Sequence, residues 1–376
     1  MGIFALERSG TEDGREVGGT ASHTAGGGAG AGSGETYEGQ EAAELLSRSK
    51  AVVDPALRAA VDSMPESMRR VAGYHFGWWE VDGTPSATGS GKAIRPALVL
   101  AAAQAVGGTD PAVAVRAAAA VELVHNFTLL HDDVIDRDLT RRHRDTAWRA
   151  FGITEAILAG DAMHSLALRV LAEDSHPAAS AAVRRLADCV VELCAGQQAD
   201  CAFEQRTDVT LAECLAMAEA KTGALLGCAG AVGALYGGAG EQAAEALDAF
   251  GREIGLAFQL IDDLIGIWGD PAVTGKPVGA DLAARKKSLP VVFALGSGGE
   301  AGDRLAELYA LERPLTDEEL AEAAEAVERA GGRAWAQGES CERMAAAIGH
   351  LADAVPDPSA ADDLLALAEL VTRRAY

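Results

Sequence analysis

The sequence predicts an all-α protein. Three features carry that expectation: aromatic residues make up only 5% of 376 residues, Ala and other helix formers fill long stretches, and β-branched runs are few. Taken in order, residues 1–38 are rich in Gly, Ser, Thr and Glu and culminate in an Ala/Gly run at 25–34. Such a segment buries too little apolar surface to offset its ordering entropy, so a disordered tail is expected there. An amphipathic helical pattern starts near residue 40 and runs to about 64. Residues 83–91 read as a Gly/Ser/Thr/Pro loop. A helix follows at Pro96, another spans about 111–136, and others are expected at 153–172, 178–206, 210–235 and 241–268. Gly269, Asp270 and Pro271 stop the last of these. Helices resume at Leu289, with breaks near 296–299 and 331–332. No fixed-period repeat and no second composition regime is visible, so residues 39–376 are expected to form one large helical domain.

Composition narrows the function classes. A net charge of -24 argues against general nucleic-acid binding, which needs a basic surface. The six cysteines, Cys189, Cys194, Cys201, Cys214, Cys228 and Cys341, form no CxxC pair and no zinc spacing. They read as small buried hydrophobes of a reducing compartment. Charged residues interrupt the first sixteen positions, so no secretory signal is expected. The uncharged run at 222–240 holds seven glycines and is too weakly apolar for a membrane span. A buried helix packed through small residues is expected instead, in a cytoplasmic protein with no membrane span.

Two acidic clusters say most about chemistry. Asp132, Asp133 and Asp136 follow an apolar helical run, and Asp262 and Asp263 follow another 130 residues later. Residues three and four apart share a helix face. His125, Leu129, Asp132, Asp133 and Asp136 therefore form one stripe, and Gly255, Phe258, Gln259 and Asp262 a second. Carboxylates at the ends of mostly buried helices need cations. Oxygen-rich sites suit Mg²⁺, which keeps several waters and shares its other positions with substrate phosphates. An EF-hand reading fails, because the central Gly and closing Glu are missing.

The lysines point the same way. Only six of the 32 basic residues are Lys, and five of those six, Lys92, Lys221, Lys276, Lys286 and Lys287, lie in or beside candidate phosphate-binding segments. A compact ammonium is not interchangeable with a guanidinium among phosphate oxygens. A diphosphate site is the expectation.

These segments resemble, in order, the motifs of the trans-isoprenyl diphosphate synthases, or polyprenyl synthetases. Gly91-Lys92-Ala93-Ile94-Arg95-Pro96 is similar to their GK-x-x-RP segment, and the first cluster with Arg141-Arg142 to their first Asp-rich motif. Lys221-Thr222 resembles their mid-chain KT. Phe258-Gln259, Asp262-Asp263, Gly275-Lys276 and Lys286 to Pro290 resemble the second Asp-rich region and its tail. The resemblance implies one helical bundle around a central cavity, working as a homodimer. It implies Mg²⁺-dependent head-to-tail condensation of isopentenyl diphosphate with an allylic diphosphate. Metal binding would fall to Asp132, Asp133, Asp136 and Asp262. Arg141, Lys221 and Lys276 would hold the allylic diphosphate, with Thr222 and Gln259 beside it and Lys286 closing over it. Lys92, Arg95, His125 and Arg142 would hold isopentenyl diphosphate. Phe127, five residues before Asp132 with Thr128 beside it and no insertion in the motif, resembles the chain-length floor of geranylgeranyl diphosphate synthases and implies a C20 product.

Two departures stand out. Gly266 replaces the third Asp of the second motif, leaving that wall to Asp262 and, secondarily, Asp263. Ala93 replaces a basic residue often found in the first segment. Rival readings are a class I terpene cyclase on the same scaffold, a C15 (farnesyl) diphosphate synthase and a non-catalytic subunit of a heteromeric enzyme. Retention of Lys92, Arg95 and Arg142 favours elongation, and the intact first cluster speaks against a non-catalytic role.

Overall fold

The computed structural model describes residues 34–86, 91–270 and 278–372. Most of the expected tail, the loop tip at 87–90, Lys276 and the terminal Arg373 and Arg374 lie outside the described residues. Helix α1 (Gly34–Asp62) takes in the last five residues of the segment expected to be unstructured. α2 (Glu66–His75) and α3 (Ile94–Ala105) follow. A short 3-10 turn then leads into α4 (Val115–Ile135). α4 is buried continuously from Ala117 to Leu130, as befits a helix surrounded by others. Among the described residues, 111–135 alone is long and apolar enough to cross a membrane, but 83% of its apolar window is buried inside the protein.

After α4 the chain departs from the all-helical expectation. Thr140–Arg141 and Arg144–Asp145 form a two-residue antiparallel hairpin. Its turn residues, Arg142 and His143, both take left-handed conformations, with φ of 51° and 60°. Such a turn matches the right-handed strand twist but normally selects Asn or Gly. Two bulky residues there carry backbone strain of the kind found at binding sites.

α5 (Ala147–Phe151), α6 (Ile153–Ala172) and α7 (Ala179–Phe203) then wrap the core. The expected single helix at 210–235 is interrupted. α8 (Leu211–Ala218) and α9 (Ala224–Tyr236) are joined by a π-helical turn over Glu219–Gly223. Gly196 explains part of this: a Cβ there would lie 2.5 Å from the Lys221 backbone nitrogen, so α7 presses directly on the wide turn.

The uncharged run is indeed a buried helix packed through small residues. A Cβ on Gly230 of α9 would sit 2.4 Å from the Leu247 carbonyl oxygen. One on Gly251 of α10 (Glu241–Trp268) would sit 2.3 Å from that of Leu226. α9 and α10 thus meet backbone to backbone. Gly251→Ala should cost about 2–3 kcal/mol through overpacking. Gly349→Ala, at an exposed helical position with nothing within 4 Å, should stabilise by up to ~1 kcal/mol through lost unfolded-state entropy. Urea unfolding of the two variants checks both signs.

The C-terminal part comprises α11 (Ala280–Ala283), α12 (Leu289–Gly296), α13 (Gly299–Tyr309), α14 (Asp317–Arg329), α15 (Gly332–Ala354) and α16 (Asp362–Thr372). α15 also packs along α10. The helix breaks fall at Gly298, Gly299 and Gly331, all at positive φ, where the sequence placed them. Cys189, Cys214 and Cys228 are buried as expected, but Cys194 and Cys341 are exposed, and none of the six is disulfide-bonded.

Candidate active site

The C-terminal end of α4 carries the first acidic cluster, and its three carboxylates are not equivalent. Asp133, 1% exposed, is gripped by Arg141 of the hairpin. Arg141 Nε donates to Asp133 Oδ1 at 2.9 Å and Nη2 to the same oxygen at 2.6 Å. Asp132 is also buried, whereas Asp136 stands at the exposed cap of the helix. Burial raises the Asp136 carboxyl above its ordinary range; the neighbouring Asp132 and Asp200 add to that, and Lys221 opposes it.

Across from it, the π-helical turn brings Lys221 onto the Asp200 carboxylate of α7. Burial works against the Lys221 charge, but Asp200, Asp132 and Asp136 together hold its pKa above the ordinary value. Asp200 escaped the sequence reading. Its one signal is a polar pair, Gln197 and Asp200, one turn apart on a helix whose Gln197 is buried.

α10 supplies the second wall. Thr222 Oγ1 donates to Gln259 Oε1 at 3.1 Å, and Gln259 Nε2 donates to Asp263 Oδ1 at 2.7 Å. Asp263 Oδ2 accepts from the Leu289 backbone N–H at 2.8 Å, at the start of α12. Lys286 Nζ stands 3.6 Å from Asp263 Oδ1. Burial pushes the Asp263 carboxyl up to about 6 despite Lys286 nearby. Both its oxygens are engaged by the protein, so Asp263 ties α10 to α12, while the neighbouring Asp262 is half-buried. Asp200, Lys221, Thr222, Gln259, Asp263 and Lys286 line one cavity.

A second polar cluster lies where α3, α4 and the hairpin turn meet. Arg95 Nη1 lies 3.2 Å from His125 Nε2. Burial, then Arg95 and Arg142, depress the His125 pKa well below its ordinary value, so the ring is neutral and Nε2 can accept from Arg95. Arg142 packs on Gly91, where a Cβ would lie 2.5 Å from its Nη2. That contact is one reason for glycine at 91. Lys92 is exposed beside it. Burial raises the Glu122 carboxyl, while Arg95 and Arg142 lower it. Arg95 Nε is buried without a hydrogen-bond partner, a donor still to be satisfied in a cluster with more guanidinium than carboxylate.

Phe127 sits on α4 below the first cluster, 6% exposed. Its ring centroid is 5.3 Å from that of His131, edge-on, and 5.2 Å from that of His164 on α6. His131 Nε2 lies 3.1 Å from the Ile157 carbonyl oxygen. Tyr74, His75, Trp78 and Trp79 also pack, with Trp78 stacked on Phe76 at 4.6 Å.

Residues 84–327 match the family model described as polyprenyl synthetase. The chain belongs to that family. It is 50% identical over 331 residues to the geranylgeranyl diphosphate synthase of Mycobacterium tuberculosis, covering 88% of this chain and 93% of that protein. It is 49% identical over 322 residues to a (2E,6E)-farnesyl diphosphate synthase of Mycobacterium bovis, covering 85% and 89%. A polyprenyl synthetase crystal structure from Streptomyces coelicolor superposes with a TM-score of 0.83 at 47% identity, covering 87% of this chain and 98% of that one. The chain is therefore a prenyl-transferring enzyme of the trans type on an all-helical fold. The resemblance read from five short motifs holds across most of its length.

Proposed function

We propose that this enzyme condenses isopentenyl diphosphate with allylic diphosphates, in the presence of Mg²⁺, to give mainly a C20 diphosphate. The observation that carries this reading is the separation of two basic clusters. Lys221 and Lys286 stand among carboxylates, whereas Arg95 and Arg142 stand around a neutral His125 with guanidinium in excess. The first arrangement suits a diphosphate that arrives with cations and departs. The second suits a diphosphate that stays attached to its chain. A cyclase has no use for the second.

Among the described residues, no three acidic, His or Cys side chains converge closely enough to hold a metal by themselves. This fits Mg²⁺, which completes its octahedron with water and phosphate oxygens. Asp132, Asp136 and Asp262 are the residues that would hold it, with Asp133 contributing through Arg141. When bound, Mg²⁺ supplies electrostatic stabilisation to the charge growing on the departing diphosphate. Lys221 and Arg141 hold the allylic diphosphate, with Thr222 and Gln259 fixing that wall, and Lys286 closes over it. Lys276 is assigned there by its motif alone. Lys92, Arg95, His125 and Arg142 hold isopentenyl diphosphate and aim its double bond at the allylic carbon. Ionisation breaks the allylic C–O bond, and the double bond attacks the resulting cation. The proton then lost passes to the departing pyrophosphate.

A homodimer is supported by the exposed Ile153, Ile157 and Leu158 on α6 and Val191 on α7. A cytoplasmic location is supported by the unpaired cysteines. One domain running from α1 onward is supported by the core that joins α1 to α16.

Phe127 lies five residues before Asp132, roughly 7–8 Å back along the helix at ~1.5 Å per residue. Enclosed by His131 and His164, its ring makes a floor for the growing chain. Chromatography of dephosphorylated products tests the C20 reading. Wild type should give mainly C20, and Phe127→Ala should shift the distribution to longer chains. A wild-type product of mainly C15 would overturn it, and an unchanged distribution in Phe127→Ala would remove Phe127 as the floor.

A further inference from the structure

Gly266 is the position where the second acidic cluster lacks its third carboxylate. A Cβ built there would lie 2.3 Å from Oδ2 of Asp281 and 2.5 Å from its Cγ. The space a side chain at 266 would take is already filled by a carboxylate from another element. Asp281 stands in the first turn of α11, two residues after Gly279, whose φ of 73° turns the chain. The Gly279 N–H donates to the Ile267 carbonyl at 3.1 Å, which pins this loop to α10 one residue beyond Gly266.

From that place Asp281 controls Lys286 in two ways. Its Oδ2 lies 3.7 Å from Lys286 Nζ, and its backbone carbonyl accepts the Lys286 N–H at 2.9 Å. The Tyr309 hydroxyl, at the end of α13, donates to the Lys286 carbonyl at 3.3 Å. The backbone of Lys286 is thus held on both sides, and its ammonium rests between Asp281 and Asp263 at 3.7 and 3.6 Å. A lysine is a point charge on a flexible four-carbon stem, so where it points depends on such partners.

We propose that Asp281 supplies in space the carboxylate that the second cluster lacks in sequence, and that it is a positioning residue for Lys286. Gly266 is then the clearance that admits Asp281, not a lost ligand. This rests on the reading of Lys286 as a diphosphate-binding group.

The test uses the full chain and two readouts: calorimetric titration with inorganic pyrophosphate in Mg²⁺, and steady-state kinetics with the allylic substrate. Asp281→Asn should weaken pyrophosphate binding about tenfold, the size of one charge-assisted contact, and raise the allylic KM in step. Asp281→Glu should recover most of that loss. Gly266→Asp alone should be as harmful as Asp281→Asn, because the new carboxylate evicts the old one. Adding Asp281→Ala to Gly266→Asp should restore binding, since a single carboxylate again occupies the space. In a Lys286→Ala background, Asp281→Asn should have no further effect. The proposal is overturned if Asp281→Asn binds like wild type, if Glu at 281 is no better than Asn, or if the effects of Asp281→Asn and Lys286→Ala add. Should Gly266→Asp fail to fold by circular dichroism, the cycle between 281 and 286 decides alone. Normal pyrophosphate binding by Lys286→Ala would instead remove Lys286 from the diphosphate pocket, and the role of Asp281 would fall with it.

Discussion

Asp132→Asn should lower kcat by about 10²–10³-fold, the usual loss when one preorganised electrostatic group is removed, and should leave the fold intact. Both halves follow from its surroundings. The Asp132 carboxylate, on a residue only 9% exposed, lies in the field of the Lys221 ammonium but, among the described residues, takes no hydrogen bond or close ion pair. A buried carboxylate so loosely compensated is costly unless a closer cation meets it, and Asn fills the same volume without that cost. Asp133 makes the informative contrast. Its carboxylate takes three hydrogen bonds from Arg141, so Asp133→Asn should reduce both activity and stability. Removing one partner of such a pair leaves the other buried and uncompensated. Steady-state kinetics with thermal melts on both variants separates the two roles. Near-normal turnover of folded Asp132→Asn would sink the metal assignment.

Lys221→Ala should lower kcat by about 10²-fold with a small change in either KM, because the charge it faces grows as the allylic diphosphate leaves. The surroundings strengthen this expectation, since its removal leaves Asp200, Asp132 and Asp136 repelling both one another and the leaving group. Lys221→Arg should not rescue the loss, because a planar, forked guanidinium does not replace the compact ammonium that sits on Asp200. Arg95→Ala should behave differently. It removes a donor from the pocket of the substrate that does not ionise, and should mainly raise the KM for isopentenyl diphosphate. The same kinetic defect in both variants would collapse the two pockets into one.

The features that come from local sequence were legible. α6 and α10 begin and end where periodicity and their Gly or Gly-Asp-Pro stops put them. The small-residue run at 222–240 announced the close α9–α10 contact. Features that depend on distant segments were not. Asp263 was adjacent to Asp262 in every sequence pattern, yet a backbone N–H from α12 turns it into a structural tie. The hairpin at 140–145 is two residues per strand, too short for any alternation to register. Its left-handed Arg142 and His143 defy the residue preferences that would have marked the turn. The π-helical turn sits where Gly196 on another helix allows close approach of the two backbones. Asp200 and Asp281 reach the site across the bundle, Asp281 from a four-residue helix that periodicity cannot mark.

Incorporation of isopentenyl carbon into product separates chain elongation from cyclisation. The purified enzyme is incubated with Mg²⁺, radiolabelled isopentenyl diphosphate and an allylic primer, and with each substrate omitted in turn. Label is expected in an acid-labile, elongated allylic diphosphate only when both substrates are present, with Arg95→Ala demanding more isopentenyl diphosphate for the same rate. Conversion of the allylic diphosphate alone into a hydrocarbon, with the isopentenyl label untouched, would contradict it and make the protein a cyclase.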